Sequence, residues 1–254
     1  MSAAAASLDK SSLHTRAIAE AAKAASRRLA PLQEAARNAA LEAMAKALEA
    51  AGAELVAVNE EDSCADSFAG GESLSAAVLA RLKLDAAKLR EMVEQVRSVA
   101  ALPDPLGRRL DAIELDEGLD LTKVSVPLGV LAVIFEARPD AVTQIAALAI
   151  KSGNAVILKP GKEVERTATV LVRVLREALA AQGLPADAVS LVVGRERVQE
   201  LLGMHGLVDM VIPRGSKALV EYVQANTRIP VLGHAEGVCH IYVDKRVDEE
   251  LALR

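Results

Sequence analysis

Four stretches of this chain carry side chains that could bind or transform a ligand. The first, Lys159-Pro160-Gly161-Lys162-Glu163, places two ammonium groups in a turn between an apolar run and a helical pattern. Free N–H groups and the dipole at a helix N-terminus already favour an anion, so cations beside them make an anion site. The same residues would also serve as a plain solvated basic turn. The second, Pro213-Arg214-Gly215-Ser216-Lys217, repeats the arrangement: Gly215 lets a phosphate approach the backbone, Ser216 can donate or cap, and Arg214 or Lys217 adds charge. Its bland alternative is an ordinary N-cap by Ser216. Two such turns in one sheet suit a phosphate-bearing ligand such as a dinucleotide, although no G-x-G-x-x-G follows any strand.

The third stretch, Glu136-Ala137-Arg138-Pro139-Asp140, sets three charges directly after an apolar run. Arg138 could hold a carboxylate or phosphate through two parallel hydrogen bonds. The alternative is Asp140 as a helix N-cap with a Glu136–Arg138 surface pair. The fourth, from Gly233 to His240, brings Cys239 near His234 and His240. Neighbours on a strand point to opposite faces, so Cys239 and His240 do not form a dyad. A metal site lacks a spaced ligand pair, and a buried structural cysteine is the expected state of Cys239.

These turns need a scaffold that aligns them. Val126 to Pro160 spells one βαβ unit, with apolar strands at Val130–Phe135 and Ala155–Lys159, a helix over Ala141–Ser152, and a Gly153-Asn154 stop. Further strands are expected at Val189–Val193, Val208–Ile212 and Ile229–Leu232, with one more in V-C-H-I-Y-V-D. Helices are expected at Val164–Gln182, Arg195–Leu202 and Lys217–Thr227. Unalternating runs mark strands covered on both faces, and short βα repeats specify a parallel, doubly wound sheet. Before it, Leu13 to Gly52 is helical with a break at Pro31. Asn59 to Ser75 is polar and should be a loop, and Asp85 should cap a helix over Ala86–Ala100. The segment around Asp116-Glu117-Gly118 carries a hairpin signal. A two-stranded arm is not stable alone, so it should pack on its own domain or on another subunit, preferably the latter.

The 254 residues are 52% hydrophobic and 26% charged, with a formal net charge of -5, and this mixed surface argues against nucleic acid as partner. No apolar run approaches the roughly 20 residues of a membrane span. The two cysteines, Cys64 and Cys239, argue for a reducing compartment. The N-terminus lacks the apolar core of a secretory signal, and a cytoplasmic location is expected. From Val247 a helix opens without a stop, so the chain is expected to be cut short at Arg254.

The segments V-P-L-G-V-L-A-V-I-F-E-A-R-P-D, K-S-G-N-A-V-I-L-K, D-M-V-I-P-R-G and H-A-E-G-V-C-H-I-Y-V-D stand in this order between about Leu13 and Arg254. Together they resemble the γ-glutamyl phosphate reductase (glutamate-5-semialdehyde dehydrogenase) family of the aldehyde dehydrogenase superfamily. The same unit forms the reductase half of bifunctional pyrroline-5-carboxylate synthases. The resemblance implies an α/β, Rossmann-type doubly wound sheet (128–246) with an N-terminal helical layer (13–101) and part of an oligomerisation hairpin (108–126). A catalytic domain would follow after 254.

The implied reaction is NADPH-dependent reduction of L-glutamyl 5-phosphate to L-glutamate 5-semialdehyde and phosphate in proline synthesis, by a homo-oligomer. By the superfamily pattern Lys159 would meet the adenosine ribose, Gly215 and Ser216 would lie beside the pyrophosphate, and Pro160 and Gly161 belong to the same cofactor-binding set. Lys162 stands where NAD-preferring relatives carry a ribose-binding Glu, which favours NADPH. Glu136 and Arg138 would face the substrate. Ala137 replaces the superfamily's oxyanion Asn, and no carboxylate stands near Leu232–His234 as general base. No catalytic residue falls within the chain, because the family's nucleophilic Cys belongs to an R-P-S-x-C-N motif beyond Arg254. Two other readings remain: another acyl-phosphate or acyl-CoA reducing aldehyde dehydrogenase, and a non-catalytic nucleotide-binding fragment.

Overall fold

The computed structural model describes residues 3–63, 81–136, 138–233, 240–248 and 250. Cys64, Ala137, His234 and Cys239 lie outside them, as does the stretch from 251 onward.

Helix α1 spans Ala3–Leu29 and α2 spans Glu34–Ala50, with Pro31 in the break between them. Ala19, Ala22, Ala25 and Leu29 of α1, and Ala40, Leu41, Met44 and Leu48 of α2, recur every three or four residues and are buried. Helix α3, Gly52–Ser63, runs into the stretch expected to be a loop. Its polar end is partnered inside the protein. Asn59 is buried and its side chain donates to the Leu82 carbonyl and accepts from the Leu84 N–H. The Asp62 carboxylate accepts from the N–H and hydroxyl of Thr167, both at 2.7 Å. Polarity signalled a loop here, whereas satisfied hydrogen bonds allow these residues inside. Helix α4, Ala86–Ala100, starts as expected, with the Asp85 side chain accepting from the N–H groups of Ala87 and Lys88.

Arg37 and Lys151 join these helices to the rest of the chain. Arg37 is 1% exposed and donates to the Lys151 carbonyl and, at 2.7 Å, to Asp104. The Lys151 ammonium donates to Glu34, Asn38 and the Ala100 carbonyl at the end of α4. The Arg37 guanidinium holds the Asp104 carboxyl below its ordinary 3.8. Asp104→Ala should therefore destabilise the fold by about 2–4 kcal/mol, because it leaves a buried guanidinium without its counter-charge. Urea unfolding would measure the loss. The Asp104 contribution should be complete above its unfolded value and vanish as pH falls through the lowered folded one.

Strands β1, Arg109–Asp116, and β2, Leu119–Val124, form the expected antiparallel hairpin, with Gly118 at φ +74 in its turn. Every residue of both strands is exposed, including Leu110, Ile113, Leu115, Leu119 and Leu121. The sheet proper contains β3, Val130–Phe135; β4, Ala155–Lys159; β5, Val189–Leu191; and β6, Met210–Arg214. All pair in parallel in the order β5-β4-β3-β6. Between them lie α5, Pro139–Lys151; α6, Glu165–Ala181; α7, Arg197–Leu202; and α8, Lys217–Ala225. Helix α5 stops at Gly153, φ +69, through the Gly153 N–H to Ile150 and Asn154 N–H to Ala149 bonds of a Schellman turn.

Strands β3, β4 and β5 progress in one direction, then the chain returns to place β6 on the other side of β3. Right-handed crossovers therefore put α5 and α6 on one face and α7 on the other. Helices α2 and α4 pack over α5, and α1 runs against β3, β4, β5 and α7.

Two expected strands are not formed. Ile229–Leu232 contributes a single bridge, Val211 to Val231, because Pro230 has no N–H and the Ile229 N–H is taken by the Thr227 hydroxyl. His240–Asp244, the described part of V-C-H-I-Y-V-D, is not a strand, and Ile241 and Tyr242 are 89% and 86% exposed. Its alternation suits a strand, but among the described residues no neighbour pairs with it.

Candidate functional site: a cleft at the switch point

The order in which strands are added reverses at β3, which lies between β4 and β6. In open α/β sheets the ligand crevice lies there, beyond the carboxyl ends of the strands. A cleft of about 1190 Å³ opens at that place, and its walls include Glu136 after β3, Lys159 to Glu163 after β4, Gly194 to Glu196 after β5 and Ser216 after β6. Both turns expected to hold phosphate thus face one space. Gly215 adjoins it: a Cβ built there would stand 2.6 Å from Glu136 Oε2.

Lys159 ends β4, is 6% exposed and donates from Nζ to the Pro160 carbonyl at 2.6 Å. Burial pushes its ammonium below the ordinary lysine value, while Glu165 and Glu163 act in the opposite direction. Pro160 is buried behind it, and Gly161 leads into a 3-10 turn, Lys162–Val164, on which Lys162 is exposed. That turn runs directly into α6, so the dipole of α6 points at the same wall. Glu165 Oε1 accepts from the Gly194 N–H at 3.0 Å and joins this wall to the loop after β5.

Ser216 is the N-cap of α8, its hydroxyl accepting from the Leu219 N–H at 3.3 Å. The capping reading therefore holds. Capping uses the side chain, and the Ser216 N–H still points outward, where it donates to Glu136 Oε2 at 3.3 Å.

Glu136 and Arg138 are separated by this arrangement. Glu136 turns to α8 and lines the cleft, whereas Arg138 is not among the cleft-lining residues. Arg138 Nη2 donates to Asp140 Oδ2 at 2.7 Å, and Asp140, 3% exposed, also accepts from Gln144. Asp140 raises the Arg138 guanidinium further above its ordinary value. The expected alternative is changed in both parts: Asp140 is a buried partner within the first turn of α5 and not its N-cap, and Arg138 pairs with Asp140 and not with Glu136. Pro139 at the first helical position explains why α5 starts without a side-chain cap, since proline lacks one of the N–H groups a cap would satisfy.

Sequence reasoning missed the clamp that fixes the entry to β3. Asp209, just before β6, accepts from the Val130 N–H and from Lys23 of α1, all at 2.7 Å. A carboxylate directly before a buried strand was its only signal. Also missed were Arg195 and Glu196, which reach the cleft wall only through the tertiary fold.

The sheet order and the switch-point cleft define an α/β domain of the doubly wound class. Residues 3–254 match the aldehyde dehydrogenase family, and the chain belongs to that family. It is 53% identical over 218 residues to a γ-glutamyl phosphate reductase of Synechococcus sp. (strain WH7803), covering 86% of this chain and 49% of that protein. With the corresponding protein of Natronomonas pharaonis it shares 50% over 239 residues, covering 94% and 54%. The chain therefore spans about half the length of the curated relatives it matches. Crystal structures of γ-glutamyl phosphate reductases superpose well on it. The Thermotoga maritima protein gives a TM-score of 0.86 at 29% identity over 94% of this chain and 57% of that one. The Saccharomyces cerevisiae protein gives 0.79 at 38%, over 94% and 60%.

Proposed function

We propose that this chain is the cofactor-binding part of an enzyme that reduces L-glutamyl 5-phosphate with NADPH to L-glutamate 5-semialdehyde and phosphate, a step of L-proline biosynthesis. The carrying observation is that the Lys159–Lys162 turn and Ser216 line one switch-point cleft, with Gly215 beside the Glu136 that also lines it. The relatives' names support the choice of reaction over other aldehyde dehydrogenases.

The walls fit an anionic dinucleotide. Lys159 offers a buried ammonium for the adenosine ribose, Pro160 and Gly161 a backbone without bulk, and Gly215 with the Ser216 N–H a seat for the pyrophosphate. Lys162, exposed beside Lys159, supplies a cation for a 2′-phosphate. When bound, NADPH supplies hydride. The chain's own residues bind and orient it, and the reading assigns the covalent step to the cysteine that the family resemblance puts after Arg254. Glu136 and Arg138 are assigned to the substrate's charged groups. For Arg138 this requires the substrate to share the guanidinium with Asp140. The hairpin, exposed on every residue, is assigned to contact between subunits of a homo-oligomer. Among the described residues no helix is long and apolar enough to cross a membrane, and we place the enzyme in the cytoplasm.

Lys162→Glu tests the cofactor assignment. Titrating both cofactors into the wild-type chain should show NADPH bound more tightly than NADH. The substitution should lower that preference roughly tenfold, because a 2′-phosphate then faces a like charge. An unchanged ratio would remove Lys162 from cofactor choice.

A further inference from the structure

We propose that the Glu136 carboxylate is a built-in occupant of the pyrophosphate seat at the N-terminus of α8, which the cofactor must displace to bind. This inference rests on the dinucleotide reading above.

Gly215 does not occupy the left-handed region, so its backbone conformation alone does not call for glycine. The space beside it is filled by the ends of two flexible side chains, Glu136 and Leu219. The position a Cβ would fill is taken by a carboxylate, with Glu136 Oε2 at 2.6 Å and its Cδ at 2.9 Å. The same oxygen accepts from the N–H of Ser216, the N-cap of a nine-residue helix. The notch beside Gly215 thus holds an anion already, and the chain supplies it. Carboxylate and phosphate oxygens seek the same N–H donor and the same end of the helix dipole. While Glu136 holds the Ser216 N–H and the space beside Gly215, a phosphate cannot take the same place.

The internal anion is held weakly. Its hydrogen bond to Ser216 is long, 3.3 Å, and the Glu136 side chain is exposed. A pyrophosphate brings more charge and more acceptor oxygens, and the dinucleotide that carries it is anchored at its ribose end by the Lys159 turn, so it displaces the carboxylate. Until then Glu136 satisfies the seat and lowers the apparent affinity by the fraction of molecules in which it is closed.

A purely structural Glu136, tying the end of β3 to α8, predicts the opposite sign, since its loss would loosen the seat and weaken binding. NADPH titration into the wild-type chain, Glu136→Gln and Glu136→Asp separates the two. Gln keeps the shape without the charge, and Asp keeps the charge on a side chain one methylene too short to span to Ser216. Both variants should bind NADPH roughly three- to tenfold more tightly than the wild type. Inorganic pyrophosphate alone, used as a second probe, should show a gain in the same direction. Unchanged or weaker binding by both variants, with the wild type still binding NADPH, would overturn the inference and leave the dinucleotide reading in place. No NADPH binding by any of the three proteins would overturn both.

Discussion

Lys159→Met is expected to weaken NADPH binding on the order of a hundredfold while stabilising the fold by about 1 kcal/mol. The two effects share one cause. Lys159 ends β4 with 6% of its surface exposed, and its ammonium donates to the adjacent Pro160 carbonyl. Burial disfavours the charged form, and the nearby carboxylates of Glu165 and Glu163 only partly offset it. Met retains the apolar stem and removes the desolvation cost. It also removes the charged donor assigned to the ribose, and a hydrogen bond from a charged group contributes about 1.5–3 kcal/mol.

The pH dependence of stability follows from the same burial. The folded-state value lies below the unfolded 10.5, so between the two values the unfolded chain binds more protons. Wild-type stability should therefore gain a component as pH rises through the lowered value, and Lys159→Met should lack it. Urea titrations over that range, paired with cofactor titrations near neutrality, would check both parts. A variant that bound NADPH normally would place the ribose elsewhere. One that lost stability would show that Lys159 holds the β4 turn in its folded position.

That an ammonium stands in this wall was legible because β4 announces itself. Ala155–Lys159 is unalternating, apolar and closed by Pro160, and its observed limits coincide with the expected ones, as do those of Val130–Phe135. Both are interior strands of a parallel sheet, buried on both faces, and their identity is written in consecutive residues. Expected limits drift toward the edges of the sheet. Strand β5 ends at Leu191, two residues short, and β6 extends to Arg214. Strand β5 has one neighbour to define where pairing ends, and β6 has only the Val211–Val231 bridge on its outer side.

Polar residues inside the helical layer were misread for a related reason. Asn59 and Asp62 satisfy partners at positions 82, 84 and 167, and such pairings cannot be seen in a local window. The candidate site divides in the same way. Each charged turn was visible in five contiguous residues, but the turning of Glu136 to α8 and of Arg138 to Asp140 is decided by the packing of β3 between β4 and β6.

The position of β3 itself depends on Gly129, and Gly129→Ala should destabilise the fold by about 4 kcal/mol. Gly129 has φ +123, a conformation that costs an L-residue on the order of 1–3 kcal/mol. An ideal Cβ there would also lie 2.1 Å from Asp209 Oδ2. That oxygen accepts from the Val130 N–H and from Lys23, both at 2.7 Å, so the methyl group must expel a carboxylate that ties α1, β3 and the entry to β6 together. Losing a charge-assisted bond of this kind adds roughly 1.5–3 kcal/mol. Because Gly129→Ala and Asp209→Ala both remove the bonds of one carboxylate, their costs should not add. In an Asp209→Ala background the expulsion has already occurred, and Gly129→Ala should then cost only the backbone strain, about 2 kcal/mol. A double-mutant cycle by urea unfolding would show this as a coupling of about 2 kcal/mol. Equal cost in both backgrounds would mean that backbone strain alone, and not the Asp209 clamp, demands glycine where the chain enters the strand that carries Glu136.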